Sequence, residues 1–319
     1  MLPRTLAPAA LLLALLLLSA GCQSGPRPAA EFVQQAQYLH DAALSSAVVK
    51  DADVAEYLRL VGRRVIAGAT AANAANTRDP TLAGMQFHLV ASDVVNAFGT
   101  GGGHVYVYNG LLQRCDSEEE LAAAIAVQYA HALDLDHQRT GMRPDVRGGA
   151  DRTSVDRVAF LFVTFPFTAR QSLEADRRAF EIYARGGWDP RRFADLYAGL
   201  RAKGLDAPAG VGGDGQPRAT LVAREQGIRA LVGGLPAQSR EWRKDVEADP
   251  SGFKELKQQA QRAAAATAPP TATARGLLYL SAFPNVVLPA DQSPQQAAQG
   301  QLRKDLAPPT PNAPPIEPS

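Results

Sequence analysis

The sequence predicts an α+β domain, mostly helical around a small β-sheet. Three observations carry this. Ser117 to His137 is a strongly helical, alanine-rich run with an acidic start. Met85–Ala91 and His104–Tyr108 are short stretches of β character separated by the glycine run Gly101–Gly103. The rest of the chain repeatedly shows apolar residues at helical spacing.

The central helix comes first because its signals are strongest. Ser117 stands at an N-cap position with Glu120 three residues on, the pattern of a capping box. Glu118, Glu119 and Glu120 favour the positive end of the helix dipole. Leu121, Ile125, Gln128, Ala132 and Leu135 share one face, and Val127, His131 and Asp134 lie on a neighbouring one.

Upstream, Met1 to Cys22 reads as a targeting segment. Arg4 gives the positive start, and Ala10 to Leu18 an apolar run too short to span a bilayer. Leu18-Ser19-Ala20-Gly21-Cys22 resembles a bacterial lipobox, so residues 1–21 are expected to be a signal peptide and Cys22 the lipidated N-terminus. Residues 22–30 then form a short tether, which predicts anchoring to a membrane without spanning it. Gln23 after the cysteine favours the outer membrane by the same resemblance. With Cys22 lipidated, Cys115 stands alone and no internal disulfide forms; it reads as a half-buried residue without an activating environment. A formal net charge of +1 over 319 residues, with mixed charges along the chain, excludes an electrostatic case for nucleic-acid binding.

Ala30 to Leu44 and Asp51 to Ala67 read as amphipathic helices, the second with Val54, Leu58, Val61 and Val65 near one face and Arg63-Arg64 on the other. Asn109-Gly110 is a turn signal after the second strand. The glycine run leads into a strand and no Lys-Ser/Thr follows, which excludes a phosphate-binding loop. Val158 to Phe167 is an apolar element too short to cross a bilayer as a helix.

The order of these pieces resembles the M48 zinc metallopeptidases. The matching residues are Asn96-Ala97-Phe98, Gly102-Gly103, Val105-Tyr106-Val107, Gly110-Leu111-Leu112 and Glu118-Glu119-Glu120-Leu121-Ala122. Tyr57 to Gly62 and, later, Ala175-Asp176 and Gly187-Trp188-Asp189-Pro190 extend the likeness over about Asp51 to Leu200. The resemblance implies a zincin-like fold. It also implies that Asn96, Phe98, Gly102 and Gly103 belong to a cleft-edge segment that pairs with an extended substrate.

The chemistry departs from that family. In it a helix carries H-E-x-x-H and a second helix E-x-x-x-D, giving three zinc ligands, a general base and an orienting aspartate. Here the first motif reads Val127-Gln128-Tyr129-Ala130-His131, and one turn before Asp176 stands Ser172. Valine offers no lone pair, and glutamine cannot take a proton at neutral pH. His131 alone remains of three ligands, whereas catalytic zinc needs three plus an open position. No metal or other cofactor is therefore expected. His104 is the one candidate replacement ligand, His137 points away from His131, and His131 is expected to bond Asp176. Gln171, Arg177 and Arg178 are expected to be solvated.

The chain then divides as follows. Residues 31–205 form the M48-like domain, 206–285 a helical extension packed on it, and 286–319 a Pro-rich disordered tail. Leu221–Val232, Gln238–Glu247 and Ser251–Ala265 read as helices, and Leu277–Phe283 as a docking segment. The function expected is that of a pseudopeptidase lipoprotein, binding extended or unfolded polypeptide or another envelope protein from the periplasmic side. The alternatives are an active metalloendopeptidase with an atypical zinc site, in envelope protein quality control, and a purely structural envelope lipoprotein.

Overall fold

In the computed structural model, residues 30–74, 77–136, 167–205, 217–242 and 250–271 are described, with Ala274 and Leu278. The signal and lipidation segment with Cys22, His137, most of Val158–Phe167 and the C-terminal tail lie outside these residues.

The chain opens with α1 (Ala30–Ala42) and a short 3-10 turn, then the long α2 (Ala52–Ala71). Asp51 caps α2 by accepting from the Val54 N–H at 3.0 Å. One turn of helix, α3 (Pro80–Ala83), leads into β1 (Gln86–Val90), β2 (Ala97–Gly99) and β3 (His104–Tyr108). The strands form one mixed sheet of order β1-β3-β2, with β1 parallel and β2 antiparallel to β3. The Asn109-Gly110 turn expected from sequence is instead the start of α4 (Asn109–Arg114). Asn109 is buried there and donates from Nδ2 to Gln261 Oε1 at 2.8 Å.

Next comes the central helix α5 (Glu118–Leu133). It is shorter than the expected run to His137, because Leu135 adopts a left-handed φ of 54° and turns the chain out of the helix. The expected capping box does not form. Ser117 makes no side-chain cap bond, and the Glu120 carboxylate accepts from the Asp116 N–H at 3.0 Å. Leu121 to Leu133 are all buried except Gln128, so α5 has no solvent face and threads the core.

Four more helices follow; the first two pack on α5, the third on those two, and the last on α4 and α2. They are α6 (Ala169–Arg185), α7 (Asp195–Ala202), α8 (Leu221–Gly233) and α9 (Pro250–Ala266). A true capping box opens α6: Thr168 accepts from the Gln171 N–H, and Gln171 Oε1 accepts from the Thr168 N–H. Gly68 lets α2 cross α6 closely, since a Cβ there would stand 2.2 Å from the Ile182 carbonyl oxygen. Ile228 of α8 and Phe253, Leu256 and Ala260 of α9 belong to the main core, so these helices are built into the domain.

Parity along the strands sorts the core in two. Phe87, Leu89, Val105 and Val107 face α2 and α5. Val90, Phe98, Tyr106 and Tyr108 face the other way, onto α1 residues Phe32, Ala36 and Leu39. The sheet thus has an inner face under α5 and an outer face under α1.

Candidate functional site

Two of the degenerate motif positions meet a cavity on the inner side. A cavity of about 120 Å³ is lined by Val127 and Gln128 of α5, by Asn96 and Ala97 at the edge of the sheet, and by Tyr197 and Arg224. Gly99 packs over Gln128, where a Cβ would lie 3.6 Å from Oε1. Of the degenerate motif positions, Val127 and Gln128 line this cavity; His131, Ser172 and Asp176 do not.

His131 and Asp176 are both buried, but they do not bond each other as expected. His131 Nδ1–H donates to Asp136 Oδ2 at 2.8 Å. The left-handed turn at Leu135 is what brings Asp136 back to the helix end. Gln171 Nε2 donates to Asp136 Oδ1 at 3.3 Å, so Gln171 is a buried tie between α5 and α6 and not a solvated side chain. Phe167 stacks on the His131 ring with centroids 3.8 Å apart. Arg178, also expected to be solvated, pairs with Asp134 at 2.7 Å.

Asp176 has a different partner set. Arg224 of α8 grips its carboxylate through Nε at 2.8 Å and Nη2 at 2.6 Å, and the Tyr197 hydroxyl donates to Oδ1. The same guanidinium lies 4.6 Å from the Tyr197 ring centroid. The carboxylate and hydroxyl beside it hold the Arg224 guanidinium well above its ordinary pKa against the opposing effect of burial, while burial drives the Tyr197 phenol up. A fixed cation thus sits beside the aspartate that, by resemblance, would orient a ligand histidine.

The family's zinc does not fit these residues. Val127 and Ser172 give no ligand pair, Gln128 gives no base, and His131 is a single imidazole. Glu174, two residues before Asp176, is exposed, as its helical position requires.

Nor does His104 rescue the site. It begins β3 on the outer face, packed with His40 and His88, while α5 lies under the inner face. Of the expected cleft-edge residues, Asn96 lines the cavity and Phe98 is buried in the outer cluster. Gly102 and Gly103 are not at the cleft. A Cβ on Gly102 would come within 2.4 Å of the Ala36 Cβ in α1, and Gly103, at φ 111°, lies beside Thr81. The free thiol of Cys115 is fully buried, and burial pushes its pKa well up, so it is no nucleophile.

The other motif residues form scaffold. Glu118 at the start of α5 accepts from the Tyr57 hydroxyl at 2.6 Å and from Trp188 Nε1 at 3.0 Å. Arg64 stacks over Trp188 at 4.0 Å and donates to the Gly186 carbonyl at 2.7 Å.

Sequence comparison reaches the same family. Residues 55–146 match the model of Peptidase family M48. The chain is 26% identical over 176 residues to the beta-barrel assembly-enhancing protease of Yersinia pestis, covering 48% of this chain and 34% of that protein. It is 28% identical over 128 residues to the mitochondrial metalloendopeptidase OMA1 of Arabidopsis thaliana, covering 37% and 26% respectively. The Escherichia coli beta-barrel assembly-enhancing protease is 23% identical over 169 residues, covering 46% and 32%. The chain thus spans about a third of the length of these relatives, or less. Among the described residues no helix is long and apolar enough to cross a membrane.

Proposed function

Proceeding from an M48-type domain, we propose that this protein is a pseudopeptidase that binds extended polypeptide in the cell envelope, held to the membrane by a lipid on Cys22. One observation carries the reading: β2 is a strand edge beside the cavity that Val127 and Gln128 line, and those two positions hold groups that cannot do the chemistry.

The edge is β2. The Asn96 carbonyl accepts from the Tyr108 N–H at 3.1 Å, and the Thr100 N–H donates to the His104 carbonyl at 3.0 Å. Strand alternation then turns the backbone groups of Ala97 and Gly99 away from β3. Among the described residues no further strand pairs there. Such an edge takes up an extended peptide through main-chain hydrogen bonds and needs no metal to do so. The envelope location draws support from the lipobox-like sequence and from likeness to proteases named for β-barrel assembly.

The test is fluorescence anisotropy of a labelled, permanently unfolded polypeptide against the full chain in detergent. Saturable binding is expected, weakened at least about threefold by Ala97→Pro, which deletes one outward N–H. Binding that Ala97→Pro leaves unchanged would reject the edge as the binding element. No binding at all would favour a purely structural protein, the reading that the stacking of Phe167 on His131 supports.

A further inference from the structure

Three histidines meet on the outer face of the sheet, on the side away from the cleft. His40 lies in the last turn of α1, His88 in the middle of β1 and His104 at the start of β3. Taking one ring nitrogen from each, all three lie within 4.8 Å of one another. The His40 and His104 rings stack at 4.4 Å with 7° between their planes, and His40 and His88 at 4.7 Å. His88 Nε2 and His104 Nδ1 are 3.0 Å apart. Two nitrogens bound to one tetrahedral zinc at about 2.0–2.1 Å stand roughly 3.3 Å from each other, so this pair already has ligand spacing.

We propose that His40, His88 and His104 form a binding site for one divalent transition-metal ion of the zinc class, separate from the degenerate cleft. Imidazole ligands suit zinc, copper and nickel alike, and three of them leave a further position for water.

The surroundings are those of ligating histidines, whose second nitrogen is held from behind. His104 Nε2–H donates to Gln37 Oε1 at 3.0 Å, which leaves Nδ1 as the lone pair facing His88. His40 Nδ1 lies 2.9 Å from the Tyr106 hydroxyl, which leaves its Nε2 for the ion. Gln37 in turn donates from Nε2 to Asp41 at 3.0 Å, placing a carboxylate behind the cluster. His104 is buried, but His40 and His88 are only half-buried, and they leave a way in. Without metal, the same geometry is met by a proton shared between His88 Nε2 and His104 Nδ1. With it, the ion ties α1 to both strands and stabilises the fold.

The experiment is titration of the chelator-stripped full chain, in detergent, with Zn²⁺ or Co²⁺ alone. One equivalent is expected to bind, with visible cobalt absorption and a rise in thermal midpoint of about 5 °C or more under saturating zinc. His40→Gln and His104→Gln should each weaken binding at least about tenfold and remove the thermal shift. His131→Ala should bind as the unaltered chain does. His40→Gln, at the half-buried helix end, carries the test alone if His104→Gln fails to fold. Substoichiometric binding to the unaltered chain, binding indifferent to His40→Gln, or binding lost in His131→Ala would each overturn the proposal.

Discussion

The two faces of the sheet hold histidines in opposite conditions. On the inner face His131 is alone among the motif positions, its Nδ1–H spent on Asp136 and its ring covered by Phe167. The aspartate one helix away is committed to Arg224 and Tyr197. On the outer face three imidazoles converge, with Gln37 and Tyr106 holding them from behind. Capacity for a metal follows from where lone pairs converge. On the inner side the Asp176 carboxylate is paired with an arginine; on the outer face three imidazoles supply the donor geometry.

Removing the arginine should break this comparison most severely. Arg224→Ala leaves the buried Asp176 carboxylate without its cation and should destabilise the domain by about 3–5 kcal/mol in denaturant unfolding. The double variant Asp176→Asn/Arg224→Met should recover more than half of that loss, because it removes both charges. A loss for Arg224→Ala of under about 1 kcal/mol would mean that the pair is solvated and the cleft open.

On the outer face, Gly102→Ala should force α1 off the strand connection and cost about 1–3 kcal/mol. It should also loosen the His40 corner of the cluster and leave polypeptide binding at β2 intact, which separates the two faces. The smallest effect is expected at Cys115, in the inner core. Native Cys115 should resist thiol alkylation at pH 8, as peptide mapping would show, and react only on unfolding.

Much of the frame was legible in the sequence. Val54, Leu58, Val61 and Val65 are buried as their spacing requires, and both main strands lie where β character was read. The contact of Tyr57 and Trp188 with Glu118, by contrast, appears only in the fold, although all three lie in the segments that carry the resemblance. Loss of the catalytic positions needed only residue identity: no packing gives valine a lone pair. What failed to show were features set by tertiary geometry. The partner of His131 depends on a left-handed leucine, which residue preferences disfavour. Arg224 lies 48 residues from Asp176, with no local pattern linking them. His40, His88 and His104 come together only through the parallel register of β1 and β3 and the docking of α1, and neither is written in the spacing of three isolated histidines. Gly102, read as a cleft residue, proved to be the contact that admits α1.

The central claim is that the inner cleft performs no hydrolysis. The direct measurement is cleavage of an unfolded polypeptide by the full chain with zinc in excess, beside the His131→Ala variant. Metal content alone would not serve, because the outer cluster is itself expected to take up zinc. The account predicts no cleavage above buffer by either protein. Chelator-sensitive cleavage by the unaltered chain, abolished in His131→Ala, would contradict it.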